Sequence, residues 1–177
     1  MPIRSLTIGI LATLVLGCAQ TPIGKTASTS LPLSADTPWQ ARGKMLLAHH
    51  SRQQTLRFKW TYSPSQEDRI ELSDPLGLNT VTLIENAGRF YQEGAGGTRT
   101  RLSEVVSDNM LVDLLSYAPN DIALLLTGAP PVDTEVTTEV LRWSTTLHFA
   151  TPEVLRVNFG GYDLKIIVSK WDIGRGE

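Results

Sequence analysis

Cys18 is the residue of this 177-residue chain whose surroundings point most directly to a chemical step. It is the sole cysteine, so its thiol has no partner for a disulfide within the chain. Arg4 supplies a positive start, residues 6–16 form an apolar run, and Leu14-Val15-Leu16-Gly17-Cys18 places a small residue directly before the thiol. This is the lipobox pattern of bacterial lipoproteins, in which the thiol is lipidated and the chain is cut in front of it. A largely apolar run of eleven residues is too short to cross a bilayer, which takes about 20. Residues 1–17 therefore read as a cleaved signal peptide rather than a retained span.

Other groups that could do chemistry do not assemble into a site. His49 and His50 fall in a predicted turn and His148 on a predicted strand beside Thr146. No G-x-S-x-G, P-loop or H-E-x-x-H pattern accompanies them, so neither a nucleophile–base pair nor a metalloprotease helix is indicated. The adjacent histidines also lack carboxylates at the spacing a zinc site needs. Asp108 and Asp113, five apart on a predicted helix, point in different directions and suit a solvated face. The chain reads as a non-enzyme, with no metal and no cofactor.

The composition narrows the class of partner. Without the signal peptide, 15 basic residues stand against 18 acidic ones, a net charge of −3. A mildly acidic chain with no run of basic residues is a poor candidate for nucleic acid or for electrostatic capture by anionic lipid. Membrane attachment is then expected from the acyl chains on Cys18, each CH₂ adding about 0.8 kcal/mol when buried. Ala19 replaces the aspartate that would retain a lipoprotein at the inner membrane of a Gram-negative cell. The expected address is the outer membrane, facing the periplasm.

Residues 18–38 are rich in Thr, Ser, Pro and Gly without hydrophobic period and read as a flexible acylated tether. Residues 39–177 are enough for one domain. In Thr55-Leu56-Arg57-Phe58-Lys59-Trp60-Thr61-Tyr62 every second residue is large and apolar, a period of two that defines a strand. Ala41-Arg42-Gly43-Lys44-Met45-Leu46-Leu47 alternates likewise, with His49-His50-Ser51-Arg52 as the hairpin connection. Further strands are predicted at 69–72, 80–84, 89–92, 98–102, 141–149, 154–159 and 164–171, with Gly-rich turns between several of them.

Residues 103–117 break this pattern with apolar positions at helical spacing and Ser103 placed to cap the first turn. Pro119-Asn120-Asp121 opens a shorter, almost wholly apolar helix over 122–126, closed by Gly128 and Pro130-Pro131. Strands, two helices, then strands predict an α+β domain in which one curved sheet carries helices on its concave side. Phe58, Trp60, Tyr62, Leu72, Trp143 and Phe149 can simply fill the core beneath those helices. They can equally line a cavity for one apolar ligand, and periodicity does not separate the two.

Several runs together resemble the LolB family of outer-membrane lipoprotein receptors: Arg42-Gly43-Lys44, Phe58-Lys59-Trp60, Asp68-Arg69-Ile70-Glu71-Leu72-Ser73-Asp74-Pro75-Leu76-Gly77, and a late Gly-Gly followed by a strand ending in Trp171. Their order and spacing extend the resemblance from Trp39 to Ile173. It implies a half-open antiparallel β-barrel with a helical lid inside its mouth, of the LolA/LolB type, acting as a monomer. It further implies a receptor that takes the acyl chains of lipoproteins from a periplasmic LolA-like carrier and inserts them into the outer membrane.

On that resemblance the acyl cavity would be lined by Met45, Leu56, Phe58, Trp60, Leu72, Met110, Leu114, Leu125 and Trp143. The family's protruding transfer loop would correspond to Pro75, Leu76 and Gly77, with Leu78 nearby. The helix over 122–126 lacks the tryptophan the family usually carries there. Between Phe149 and Pro152 there is no room for a further hairpin, which implies a barrel shorter by about two strands. The competing reading is a LolB-like adaptor with a filled core that binds a protein partner at the outer membrane.

Overall fold

The computed structural model describes residues 31–105, 110, 115, 122–130, 135–144 and 148–174. Their strands are β1 (Leu31–Pro32), β2 (Trp39–His49), β3 (Arg52–Tyr62), β4 (Asp68–Ser73), β5 (Thr80–Asn86), β6 (Arg89–Glu93) and β7 (Arg99–Arg101). They continue with β8 (Thr137–Trp143), β9 (Phe149–Ala150), β10 (Pro152–Phe159) and β11 (Tyr162–Ile173). A short helix, α1 (Ile122–Leu126), and two 3-10 turns, Ala95–Gly97 and Leu102–Glu104, stand apart from them.

Nine strands make one curved, open sheet in the order β7-β6-β5-β4-β3-β2-β11-β10-β8, every pair antiparallel. Most neighbours are consecutive hairpins. Two pairs are not: β10 lies beside β8, with β9 between them in the chain, and β2 lies beside β11, which joins the two ends of the domain from Trp39↔Ile173 to His49↔Tyr162. β1 and β9 form a separate parallel pair, Leu31↔Phe149 and Pro32↔Ala150.

Alternation and register give this sheet two unlike faces. On the inner face Met45, Leu56 and Ile166 lie side by side across three strands, and so do Ala41, Trp60 and Ile70. These residues share one buried cluster with Met110, Leu115, Ala123, Leu125 and Leu126, so the helical residues pack against the inner face. The outer face carries Arg42, Lys44, Arg57, Lys59, Glu71 and Lys165.

Gly43 explains itself by this packing. A Cβ there would overlap the Ile167 carbonyl oxygen on β11 and lie 2.9 Å from Cε1 of Phe58. Phe58, directly opposite on β3, occupies the space that glycine leaves. The end of α1 is closed by Gly128 at φ +82°, with Gly128 N–H donating to the Leu125 carbonyl and Ala129 N–H to that of Leu124.

Three expectations change. The tether expected through residue 38 makes contacts with the domain from Leu31 onward: Leu31 and Pro32 pair with Phe149 and Ala150, Leu33 is buried, and the Tyr62 hydroxyl donates to the Ala35 carbonyl at 2.7 Å. Low local hydrophobicity concealed this, because the segment is held by a few contacts with distant residues. The single strand expected over 141–149 is instead β8, starting at Thr137 and ending at Trp143, and the two-residue β9. Its apolar residues suggested the strand, yet β8 is an edge with a register shift against β10, and Ser144 N–H donates to the Thr151 carbonyl where the strand ends. Ser103 does not cap a helix; it lies within the 3-10 turn Leu102–Glu104, which follows Arg101 and has no side-chain cap. Beyond that turn the expected helix over 103–117 falls largely outside the described residues, apart from helical Met110 and Leu115. The nine-stranded sheet is curved and open, as expected, with β7 and β8 as its edges.

Candidate functional site

The loop between β4 and β5 is Asp74-Pro75-Leu76-Gly77-Leu78-Asn79, and Asp74 organises it. Its Oδ1 accepts the backbone N–H groups of Leu76 and Leu78, both at 3.0 Å. Its Oδ2 accepts the N–H of Asn79 at 3.0 Å and the Asn79 side-chain amide at 2.9 Å. The Gly77 N–H closes the turn on the Asp74 carbonyl at 3.0 Å, and Gly77 sits at φ +78°, which a side chain would resist. These donors, the Leu78 N–H foremost, hold the Asp74 carboxyl below the usual carboxylate range.

With its polar groups tied inward, the loop turns its apolar side chains out. Leu76 is 79% exposed and Leu78 77%, well above the other exposed large hydrophobics, Leu141 and Trp143. A braced turn presenting two leucines to solvent can insert into a lipid layer or an apolar partner surface with little ordering cost.

Of the residues expected to line an acyl cavity, Met45, Leu56, Phe58, Trp60, Leu72, Met110 and Leu125 are all buried in the same cluster. Trp143 differs: it is 44% exposed, and its ring lies over Gly128, where an added Cβ would come within 2.6 Å of Cη2. Leu114 lies outside the described residues, and so does Cys18. A shallow hollow of about 340 Å³ near Phe159, Gly160, Tyr162 and Asp163 involves none of the expected lining residues.

The inner face also holds a polar pair that sequence reading missed. Trp60 Nε1 donates to Oδ2 of the buried Asp68 at 3.1 Å. Burial raises the Asp68 carboxyl to about 6, with the Trp60 hydrogen bond opposing that rise and Glu85, directly opposite on β5, adding to it. The signal was available, because Asp68, Ile70 and Leu72 occupy alternate positions and must share a face. Beside this pair Trp39 stacks on Tyr62 at 5.2 Å and meets Trp171 edge-on at 5.3 Å. The Trp39 indole nitrogen is buried with no hydrogen-bond partner among the described residues.

His49 stacks on Tyr162 at 4.0 Å and meets its neighbour His50 at 4.2 Å with the rings tilted, while His148 is exposed. Among the described residues no cluster of His, Cys, Asp or Glu could hold a metal ion, and no helix is long and apolar enough to cross a membrane.

The fold, a curved, open antiparallel sheet with helical residues packed on its inner face, is similar to that of a solved LolA superfamily protein. A LolA superfamily protein from Nitrosomonas europaea superposes with a TM-score of 0.54 at 9% identity, covering 85% of this chain and 91% of that one. The family model for the outer membrane lipoprotein LolB matches residues 37–121, so the resemblance to the LolB family holds over β2–β7 and the loop between β4 and β5. The match is shorter than the expected span from Trp39 to Ile173; the departures noted in the sequence lie beyond residue 121. A DUF1329 family protein from Desulfovibrio piger has a TM-score of 0.46 at 12% identity, covering 79% of this chain and 87% of that one. No curated protein sequence matches the chain.

Proposed function

We propose that this protein is an outer-membrane lipoprotein, anchored through Cys18 and facing the periplasm, that receives the acyl chains of other lipoproteins from a LolA-like carrier and inserts them into the outer membrane. The observation that carries this reading is the Asp74-braced loop with Leu76 and Leu78 exposed, set within the LolB match. Pro75, Leu76 and Gly77 form the part that enters the lipid. Met45, Leu56, Phe58, Trp60, Leu72, Met110, Leu114, Leu125 and Trp143 form the apolar face that receives the chains.

Because most of those residues are buried, the helical residues over them must withdraw as the acyl chains enter. The helices then act as a lid, exchanging their own apolar contacts for those of the cargo. No bond is made or broken, and transfer needs only an affinity for acyl chains that lies between those of carrier and bilayer.

The tight inner cluster also gives the second reading its support: a filled core suits an adaptor that binds a protein partner at the outer membrane. Release of an acylated lipoprotein from a LolA-like carrier into vesicles, with and without this protein, decides between them. A receptor accelerates delivery and takes up an apolar fluorophore. An adaptor does neither, and that outcome would remove the receptor reading.

A further inference from the structure

We propose that the outer face of the sheet is a docking surface for anionic phospholipid, centred on Lys44 and Arg57, which sets the leucine loop against the bilayer. This deepens the proposed function and rests on it. Lys44 on β2 and Arg57 on β3 are direct cross-strand partners, both exposed, with Arg42 and Lys165 on the same face. Like charges directly opposite one another destabilise a sheet.

Neighbouring cations have their charge met: Lys59 pairs with Glu71 at 3.1 Å, Arg69 with Glu93 at 2.8 Å, Arg156 with Asp163 at 3.3 Å and Lys170 with Asp172 at 3.0 Å. Lys44, Arg57 and Lys165 have no ion-pair partner among the described residues, and the Arg42 guanidinium bonds only the neutral amide oxygen of Gln40. In a chain of net charge −2 this is a local excess created by strand pairing, since its members are far apart in sequence. It asks for anions from outside the fold.

Position selects the source of those anions. Arg57 faces Ser73, the last residue of β4, so the loop leaves the sheet beside the Lys44–Arg57 pair. Exposed leucines next to unpaired cations are the two halves of an interfacial lipid site, with side chains at the acyl boundary and ammonium or guanidinium groups at the phosphates. An acidic protein surface would satisfy the cations but leave the leucines unexplained.

The test uses the full acylated chain with Leu78→Cys, which supplies a free thiol for an environment-sensitive dye once Cys18 carries lipid. In vesicles of phosphatidylethanolamine with phosphatidylglycerol the dye should report insertion, and high salt should reverse it. Each cation at an anionic surface is worth about fivefold in binding, so Lys44→Gln with Arg57→Gln should lower the inserted-to-free ratio roughly 25-fold. Lys44→Arg with Arg57→Lys should preserve it, and melting curves should show both variants folded. Insertion that is equal without phosphatidylglycerol, or unchanged by the neutral pair, overturns the basic face while leaving the proposed function standing. A dye that stays in water in every vesicle overturns the loop's role and this inference together. Loss of carrier-to-vesicle delivery with insertion intact assigns the face to the carrier and overturns the lipid proposal.

Discussion

The indole nitrogen of Trp60 donates to a carboxylate oxygen of Asp68 at 3.1 Å, and both residues are buried. The two residues come from adjacent strands, with the Asp68 backbone opposite Glu85 on the next one. Removal from water favours the protonated acid, and that is why the carboxyl is raised to about 6.

A pH dependence follows, with a sign opposite to that of a salt-bridged aspartate. The folded chain binds the Asp68 proton more tightly than the unfolded chain, so this group's contribution is fully present below about pH 4 and is lost as pH rises through about 6. The total is about 3 kcal/mol. Asp68→Asn keeps an acceptor for Trp60 and removes the titration. Denaturation midpoints across pH 4–7 should fall for the parent chain relative to the variant, and parallel curves would show that Asp68 does not titrate in this window.

Gly43→Ala should cost at least about 3 kcal/mol, the upper part of the range for an added methyl in a packed core, because the obstacle is a backbone carbonyl that cannot rotate away. Adding Phe58→Leu should recover only the part due to the ring contact. Urea denaturation of the single and double variants measures both.

Leu76→Glu should leave stability within about 0.5 kcal/mol, since the side chain it replaces is exposed. Delivery of acyl chains into vesicles should fall sharply while their acceptance from the carrier persists, because a charged tip resists entry into the apolar layer. Asp74→Ala, which removes four hydrogen bonds bracing the loop, should weaken delivery less, with both leucines still present. Melting temperature, uptake and release measured on one preparation separate these effects.

Leu72→Ala and Met45→Ala distinguish a filled core from an adaptable one. In a rigid core each should cost roughly 2–5 kcal/mol. If acyl chains replace the helical residues over this face, the same changes should also alter the affinity for an apolar fluorophore. Chemical denaturation paired with probe titration reads both, and a stability loss with no change in probe binding would favour the adaptor.

Local pattern carried much of the fold. A period of two in residues 55–62 and its echoes along the chain marked the strands, because a half-buried strand must alternate whatever it pairs with. The apolar tip Leu76 was legible for a similar reason, since Pro75 and Gly77 specify a turn on their own. The helix stop at Gly128 was equally local, resting on one left-handed residue.

What pairing decides was not written in any one segment. Lys44 and Arg57 become neighbours only through the β2–β3 register, so a chain without a basic run still acquires a basic face. The need for Gly43 arises from Ile167, more than a hundred residues away. Trp143, apolar and on a strand, looked internal, yet its place on an edge strand leaves it half exposed over Gly128. Residues 31–38 looked like tether until β9 and Tyr62 gave them partners. Short-range sterics and periodicity therefore determined which segments are strands and turns. Burial, charge clustering and close packing depend on contacts between distant segments, and only the assembled sheet settled them.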